Sequence, residues 1–279
     1  MLLTERKFAC SKALKKSHIK CFSCYGWGLV LRAMGQMSYT RHTTMRLAIA
    51  LVLSALIGLL SFSISADSRF ERTYTPQHPA HLTISNINGS IRVVAWDKKT
   101  IVAQVKAASL DSIEERVMGD DITITSKLKL RPRRVDFEIS APPETSLTIK
   151  NIMGEIELRG IAGHVSVTSI GSDVHLTKMS SSSVDVLVTS GDIVFDGELR
   201  EGGSYSLQSM RGDLDVTLPS STPFNLNARA LSENINLGSF VSNLTGSSRG
   251  PKGVSGTHLR GGSRLSLTAY TGRILLHKK

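Results

Sequence analysis

The chain has 279 residues and a formal net charge of +11, yet nine of its 34 Lys/Arg and only one of its 23 Asp/Glu fall in residues 1–66. The remaining 213 residues carry 25 bases against 22 acids, a near balance that excludes nucleic-acid binding as a reading of the folded part. All three cysteines (Cys10, Cys21, Cys24) also lie in the leader, so the body is no disulfide scaffold and is compatible with an oxidising compartment.

Residues 1–44 are longer than the basic start of an export signal needs. They read as a gene-model extension, with translation starting at Met45 (or Met37), or as a long n-region, disordered in either case. Cys21-Phe-Ser-Cys24, with Cys10 and His18 nearby, lacks the second paired half of a zinc site. From Leu47 to Ile64 no residue is charged, Arg46 precedes the run, and small residues (Ser63, Ser65, Ala66) follow it. Residues 45–66 therefore read as a signal peptide, cleaved to leave a chain beginning near Asp67. An uncleaved anchor is the rival reading, and it would be the only contact with a membrane. Residues 67–80 are expected to be a linker.

From residue 81 onward the text repeats. Leu82-Thr-Ile-Ser-Asn-Ile-Asn-Gly89-Ser-Ile-Arg-Val93 recurs almost unchanged as Leu147-Thr-Ile-Lys-Asn-Ile-Met-Gly154-Glu-Ile-Glu-Leu158. Looser copies follow at Val165–Leu176, Val184–Phe195, Tyr205–Val216, Leu226–Leu237 and Leu265–Leu276. In every copy the residues seven and five before the turn, and two and four after it, are apolar. Alternation at period two on both sides of a turn means two short strands, each with one buried face. The turn residue is Gly89, Gly154, Gly191, Gly212 or Gly272 in five copies, and Ser172 or Glu233 in the other two; Gly suits a positive φ.

Successive turns between residues 154 and 233 are 18 to 21 residues apart. A short, steady period of that kind predicts an all-β fold, a β-solenoid (β-helix-like) of strand-turn-strand repeats filling residues 81–279, each coil buried by its neighbours. An antiparallel sandwich also gives alternating strands, but near-identical copies favour the solenoid. Between the first two copies, Ile101–Val105, Ile122–Thr125 and Val135–Ile139 alternate as strands, with a helical stretch around Asp111–Met118. Arg131, Arg133 and Arg134 read as a solvated strand edge. The Gly/Ser-rich stretch at 238–264 is expected to be a long surface loop. Only nine aromatic residues remain after residue 66, which leaves few platforms for stacking on sugars.

The opening Leu82–Asp97, the Ser-Gly-Asp-Ile at Ser190–Ile193, and Gly212-Asp-Leu-Asp-Val-Thr-Leu-Pro219 followed by Phe224–Ala228 together resemble a bacterial family. It is the exported, adhesin-like family of β-strand-repeat domains of unknown function, and the resemblance covers about residues 80–279. It implies an extracytoplasmic location and no known catalytic residue.

Functional candidates cluster at the turns. Arg211-Gly-Asp213 is the tripeptide of integrin ligands, but it falls on the repeat's own turn, and repeat chemistry accounts for it. The residue after the turn is Glu155, Asp173, Asp192 and Asp213 in four consecutive copies. In stacked coils these carboxylates would stand on the order of 5 Å apart and repel. Either Ca²⁺ bridges them, or each Asp bonds its own turn amides; the second is the expectation, with no cofactor required. The same row, with Lys178 or Arg211 as the cation, is the only feature a polysaccharide-active enzyme could use. Histidines are scattered, and no nucleophile elbow, phosphate loop or zinc-protease motif occurs. The sequence therefore reads as a non-catalytic structural or interaction module, exported to the periplasm or cell surface, with an envelope or surface partner. A polysaccharide-active enzyme and an envelope-stress component are the alternatives.

Overall fold

The computed structural model describes residues 68–107, 112–127, 133–232 and 234–279; the expectations for residues 1–67 and for Glu233 lie outside these. Up to the second repeat copy the strands are β1 (Ser68–Tyr74), β2 (His81–Asn88), β3 (Ile91–Ala95), β4 (Ile101–Ala107), β5 (Ile113–Met118), β6 (Asp121–Ser126) and β7 (Val135–Ala141). Two long strands follow, β8 (Ser146–Arg159) and β9 (Val165–Met179), then β10 (Ser183–Ser190), β11 (Ile193–Gly197), β12 (Ser204–Arg211) and β13 (Leu214–Leu218). The chain ends with β14 (Phe224–Ala230), β15 (Ile235–Asn236), β16 (Leu244–Gly250), β17 (Gly253–His258), β18 (Ser263–Ala269) and β19 (Ile274–Lys278).

Repeat copies stack parallel and in register, as a solenoid requires. Leu82 pairs with Leu147, Leu147 with Val165, Val165 with Val184, and Val184 with Tyr205. After the turn, Ile91 pairs with Ile156, Ile156 with Val174, Val174 with Ile193, and Ile193 with Leu214. Two ladders result, one on each side of the turns. The inward residues of both form one buried apolar cluster, with Leu82, Ile84, Ile91, Val93, Leu147 and Ile156 all at 0% exposure. Each coil is too thin to bury its own apolar face, so the stack is the unit of stability.

Spatial order departs from chain order at both ends. Tyr205 pairs with Leu265, and Leu265 in turn with Leu226. The seventh copy therefore lies between the fifth and the sixth, although a turn spacing of 21 residues suggested adjacent coils. At the other end β6 and β7 make an eighth coil outside the first copy, through Leu82 with Ile122 and Ile91 with Phe137. Backbone ladders accept any apolar coil of the right length, so the return path of a long insertion is not written in the repeat.

Three expectations are corrected at the ends. The linker expected at 67–80 contains β1, which pairs antiparallel with β4 from Ser68–Ala107 to Tyr74–Ile101 and packs Tyr74 into the core. The helix expected around Asp111–Met118 is the exposed strand β5, antiparallel to β6; its polar text suits an edge rather than a helix face. The loop expected at 238–264 holds a 3-10 helix (Gly238–Asn243) and the hairpin β16–β17, with β17 antiparallel to β14. Phe240 anchors that segment: it is fully buried and edge-on to Phe224 at 5.4 Å and to His258 at 5.0 Å. One aromatic residue at the right place, invisible to a compositional reading, turns a Gly/Ser-rich stretch into a cap.

Candidate functional site: the turn edge

The turn residues and the acidic row singled out from sequence meet along one edge of the stack, where the coils turn. The column formed by Gly89, Gly154, Ser172, Gly191, Gly212 and Gly272 sets its geometry. A Cβ on Gly212 would lie 2.0 Å from the carbonyl oxygen of Gly191, and one on Gly272 would lie 1.9 Å from that of Gly212. Gly212 also has φ +147°, but Gly272 does not have a positive φ. Positive φ therefore explains only part of the glycine requirement; close stacking of turn on turn explains the rest. Ser172 keeps a side chain by tucking it inward, where its hydroxyl accepts from Asn151 Nδ2 (2.9 Å) and Ser169 Oγ (2.6 Å).

The acidic row stands one residue after this column, and its carboxylates serve the stack. Asp173 Oδ1 accepts the backbone N–H of Asp192 (2.9 Å), Asp192 Oδ1 accepts that of Asp213 (2.7 Å), and Asp213 Oδ1 accepts that of Arg273 (2.8 Å). Asp136 extends the pattern, accepting from Ser90 N at 2.8 Å. The bond goes to the next coil's turn amide, not to the residue's own turn as expected. Glu155 lies opposite Asp173 in register and is exposed.

Arginines bracket the row. Arg273 donates from Nε (3.0 Å) and Nη2 (2.5 Å) to Asp213 Oδ2, and Arg134 donates from Nε to both oxygens of Asp136 at 2.9 Å. The Arg273 side-chain bond, helped by its backbone N–H, holds the Asp213 carboxyl below the usual carboxylate value. At Asp136 burial pushes upward, but the bonds from Arg134 and Ser90 outweigh it and the net shift is down. Between the brackets, Glu155, Asp173 and Asp192 have no cationic partner among the described ion pairs.

This geometry decides several of the sequence candidates. Asp213 of the Arg-Gly-Asp tripeptide is engaged by Arg273, and Arg211 is exposed beside it. Lys178 lies five residues past Asp173 along an extended strand, roughly 16 Å away, so it is not assembled with the row. Of the three-arginine group, Arg131 is outside the described residues, Arg133 is exposed, and Arg134 is the clamp on Asp136. Among the described residues no three His, Cys, Asp or Glu side chains converge as a metal site. Sequence reasoning missed Asp136 and Arg273 in the row. The first follows Val135 rather than a glycine, and the second carries the opposite charge.

It also missed a row of apolar side chains two residues before the turns, on the outer face. In spatial order these are Ile87, Ile152, Ile170, Met210, Tyr270 and Leu231, brought side by side by the register of the pairs flanking them. Ile170 is 56% exposed and Leu231 49%. Thr189 interrupts the row at one coil, where exposed Leu187 stands on the same face. The first three line a shallow groove of about 400 Å³ with Lys150 and Asn151. Asn151 is 3% exposed, and its Oδ1 has no hydrogen-bond partner.

Residues 73–274 match the model of the Toastrack DUF4097 family. No curated protein matches the chain. Among solved structures, a candidate cell adhesion protein from Clostridium sporogenes aligns over 76% of this chain and 100% of its own, at 13% identity and a TM-score of 0.47. A candidate adhesin from Bacteroides fragilis aligns over 77% and 99% at 9% identity with a TM-score of 0.35. Another from Parabacteroides distasonis aligns over 77% and 96% at 10% identity with a TM-score of 0.21.

Proposed function

We propose that this chain, which belongs to the Toastrack DUF4097 family, is a non-catalytic structural or interaction module working outside the inner membrane, in the cell envelope or at the cell surface. The observation that carries this reading is the use made of the acidic row. Asp173, Asp192 and Asp213 each spend an oxygen on the neighbouring coil's backbone. Acid–base hydrolysis needs two carboxyl groups at a set separation across a cleft, one of them protonated. Here the carboxylates stand in a hydrogen-bonded file along a turn edge instead of facing each other across a cleft.

Export is supported by the leader, with Arg46, the uncharged run Leu47–Ile64 and the small residues before Asp67, and by a body without cysteine.

The test is an assay of the purified protein on pectin, alginate and peptidoglycan, together with N-terminal sequencing of the protein recovered from its host. No turnover and a processed start near Asp67 are expected. Hydrolysis that disappears in Asp192→Asn would overturn the non-catalytic reading, and an unprocessed cytoplasmic protein would overturn the location.

A further inference from the structure

We infer that strand β5 pairs with β5 of a second copy of this chain, making a two-fold dimer; the surface lies away from the turn edge and goes beyond the reading above. β5 closes the ladder that precedes the turns. Among the described strands it pairs with β6 alone, without a shift of register, and nearly all of it is exposed. An open edge of backbone N–H and C=O groups is a template for another strand, and proteins normally blunt it. The far edge of the same ladder is blunted: β16 meets β17 with a register shift between Thr245 and Ser248, and Gly246 inside that shift has φ +59°. β5 is guarded by charge instead, from Glu114, Glu115 and Arg116. Charge repels a strand that brings the same sign and attracts one that brings the opposite.

Hydrogen-bond phase decides which residues can meet. Lys127 donates its backbone N–H to the Ser112 carbonyl at 2.6 Å. The main-chain groups of Ser112, and by alternation those of Glu114, Arg116 and Met118, are therefore turned toward β6. Those of Ile113, Glu115 and Val117 are turned to the open edge. Antiparallel pairing matches open-edge residues with one another, so the fullest overlap places the two-fold axis at Glu115. Moving the axis one residue either way sets Glu114 against the partner's Glu114, or Arg116 against the partner's Arg116, and like charges directly opposite destabilise a pair.

With the axis at Glu115 the strand is complementary to itself. Glu114 stands opposite the partner's Arg116, and the symmetry repeats that pair. Both are non-hydrogen-bonded positions, where Cα atoms are about 4.5 Å apart and side chains come closest. Glu114 also has Lys127 of its own chain at 3.7 Å, an exposed pair that competes weakly. On the inward face, next to the buried Ile122 and Ile124 of β6, Ile113 meets the partner's Val117. Val117 is 48% exposed and would be covered. Glu115 meets the partner's Glu115 across a wider, hydrogen-bonded pair, about 5.5 Å between Cα atoms. Arg72 of β1, 3.5 Å from Glu115 Oε2 in each copy, offsets that like charge. Charge thus selects both the occupant, an identical strand, and its register, and a two-fold contact closes on itself at two chains.

The test is sedimentation equilibrium of the protein expressed from the full chain, from about 1 to about 100 μM. Reductant is present so that Cys10, Cys21 and Cys24 cannot link chains. A dimer whose population rises with concentration and falls with salt is expected. Glu114→Arg and Arg116→Glu each put like charges opposite one another at both outer pairs. Either alone should weaken the dimer about tenfold or more, with a wild-type melting curve in dilute solution because both side chains are exposed. An equimolar mixture of the two single variants brings opposite charges together again and should recover wild-type affinity, as should the double variant Glu114→Arg/Arg116→Glu. That recovery could not come from variants that had failed to fold. A monomer throughout the range overturns the inference, and so does a dimer indifferent to both single variants. Single variants that weaken the dimer and are not rescued by mixing overturn it as well.

Discussion

Asp192 Oδ1 accepts the backbone N–H of Asp213 at 2.7 Å, one coil further along the stack. The same bond joins Asp173 to Asp192 and Asp213 to Arg273, so a file of like charges becomes part of what holds the turns in register. What this bond asks of residue 192 is an acceptor oxygen, which an amide side chain also supplies. Asp192→Ala should cost about 1 kcal/mol, the usual worth of one such hydrogen bond. Asp192→Asn, which keeps the acceptor and lowers the repulsion, should stay within about 0.5 kcal/mol of wild type. Urea denaturation of both variants decides this; equal losses would mean that the charge, not the acceptor, matters.

The glycine column predicts a contrast between two alanine substitutions. Gly202 has φ +73° with nothing within 4 Å of a built Cβ, so Gly202→Ala should cost only the left-handed penalty of about 1 kcal/mol. Gly272 lacks a positive φ, but its Cβ would sit 1.9 Å from the Gly212 carbonyl oxygen. Gly272→Ala therefore has to push two coils apart and should cost about 3 kcal/mol or more. Thermal melts of the pair would show the order reversed if backbone dihedral, rather than stacking, governed the column.

Acid should loosen the row from its bracketed ends. The Asp213 carboxyl is held below its ordinary 3.8 by the Arg273 side chain and backbone N–H, and Asp136 is held low by Arg134 and Ser90 against the opposing effect of burial. A depressed folded value means stability that is fully present above the unfolded value, near 4, and lost as pH falls through the folded values. The gap in melting temperature between wild type and Arg273→Met should thus be constant from pH 7 to about 5 and close as pH drops toward about 2. A gap that persists in acid would show that Arg273 acts through packing rather than through its charge.

Calcium should leave the protein unmoved. Each Asp from Asp173 to Asp213 already commits an oxygen to a backbone N–H, and among the described residues no three acidic, His or Cys side chains converge. A hard cation with six to eight oxygen ligands finds no such cage. A rise in melting temperature on adding millimolar Ca²⁺, reversed by chelator, would refute this.

The 238–264 segment should act as a cap whose hold on the stack runs through Phe240. Phe240→Ala removes a fully buried ring packed on Phe224 and His258, at a cost of about 3–5 kcal/mol. Hydrogen exchange should then quicken first in β16 and β17. Uniform quickening across all strands would mean that the cap and the stack unfold as one unit.

How much of this could be read beforehand depended on how local each feature is. Alternation at Leu82, Ile84, Ile91 and Val93 is a property of one strand-turn-strand unit, so the buried faces, the turns and the all-β class were legible from residues alone. Near-identity of the Leu82 and Leu147 copies further implied that coils stack on their likes. Tertiary structure alone decided which coil neighbours which. Parallel ladders are made by backbone groups common to all residues, so nothing in Leu265 or Leu226 announces that the seventh copy slides in between the fifth and the sixth. The partners of the acidic row are non-local for the same reason: whether Asp213 bonds its own turn or the amide of Arg273, 60 residues away, is settled by coil-to-coil distance. The apolar row from Ile152 to Leu231 was likewise present in the text as isolated hydrophobic residues; only the register set them side by side.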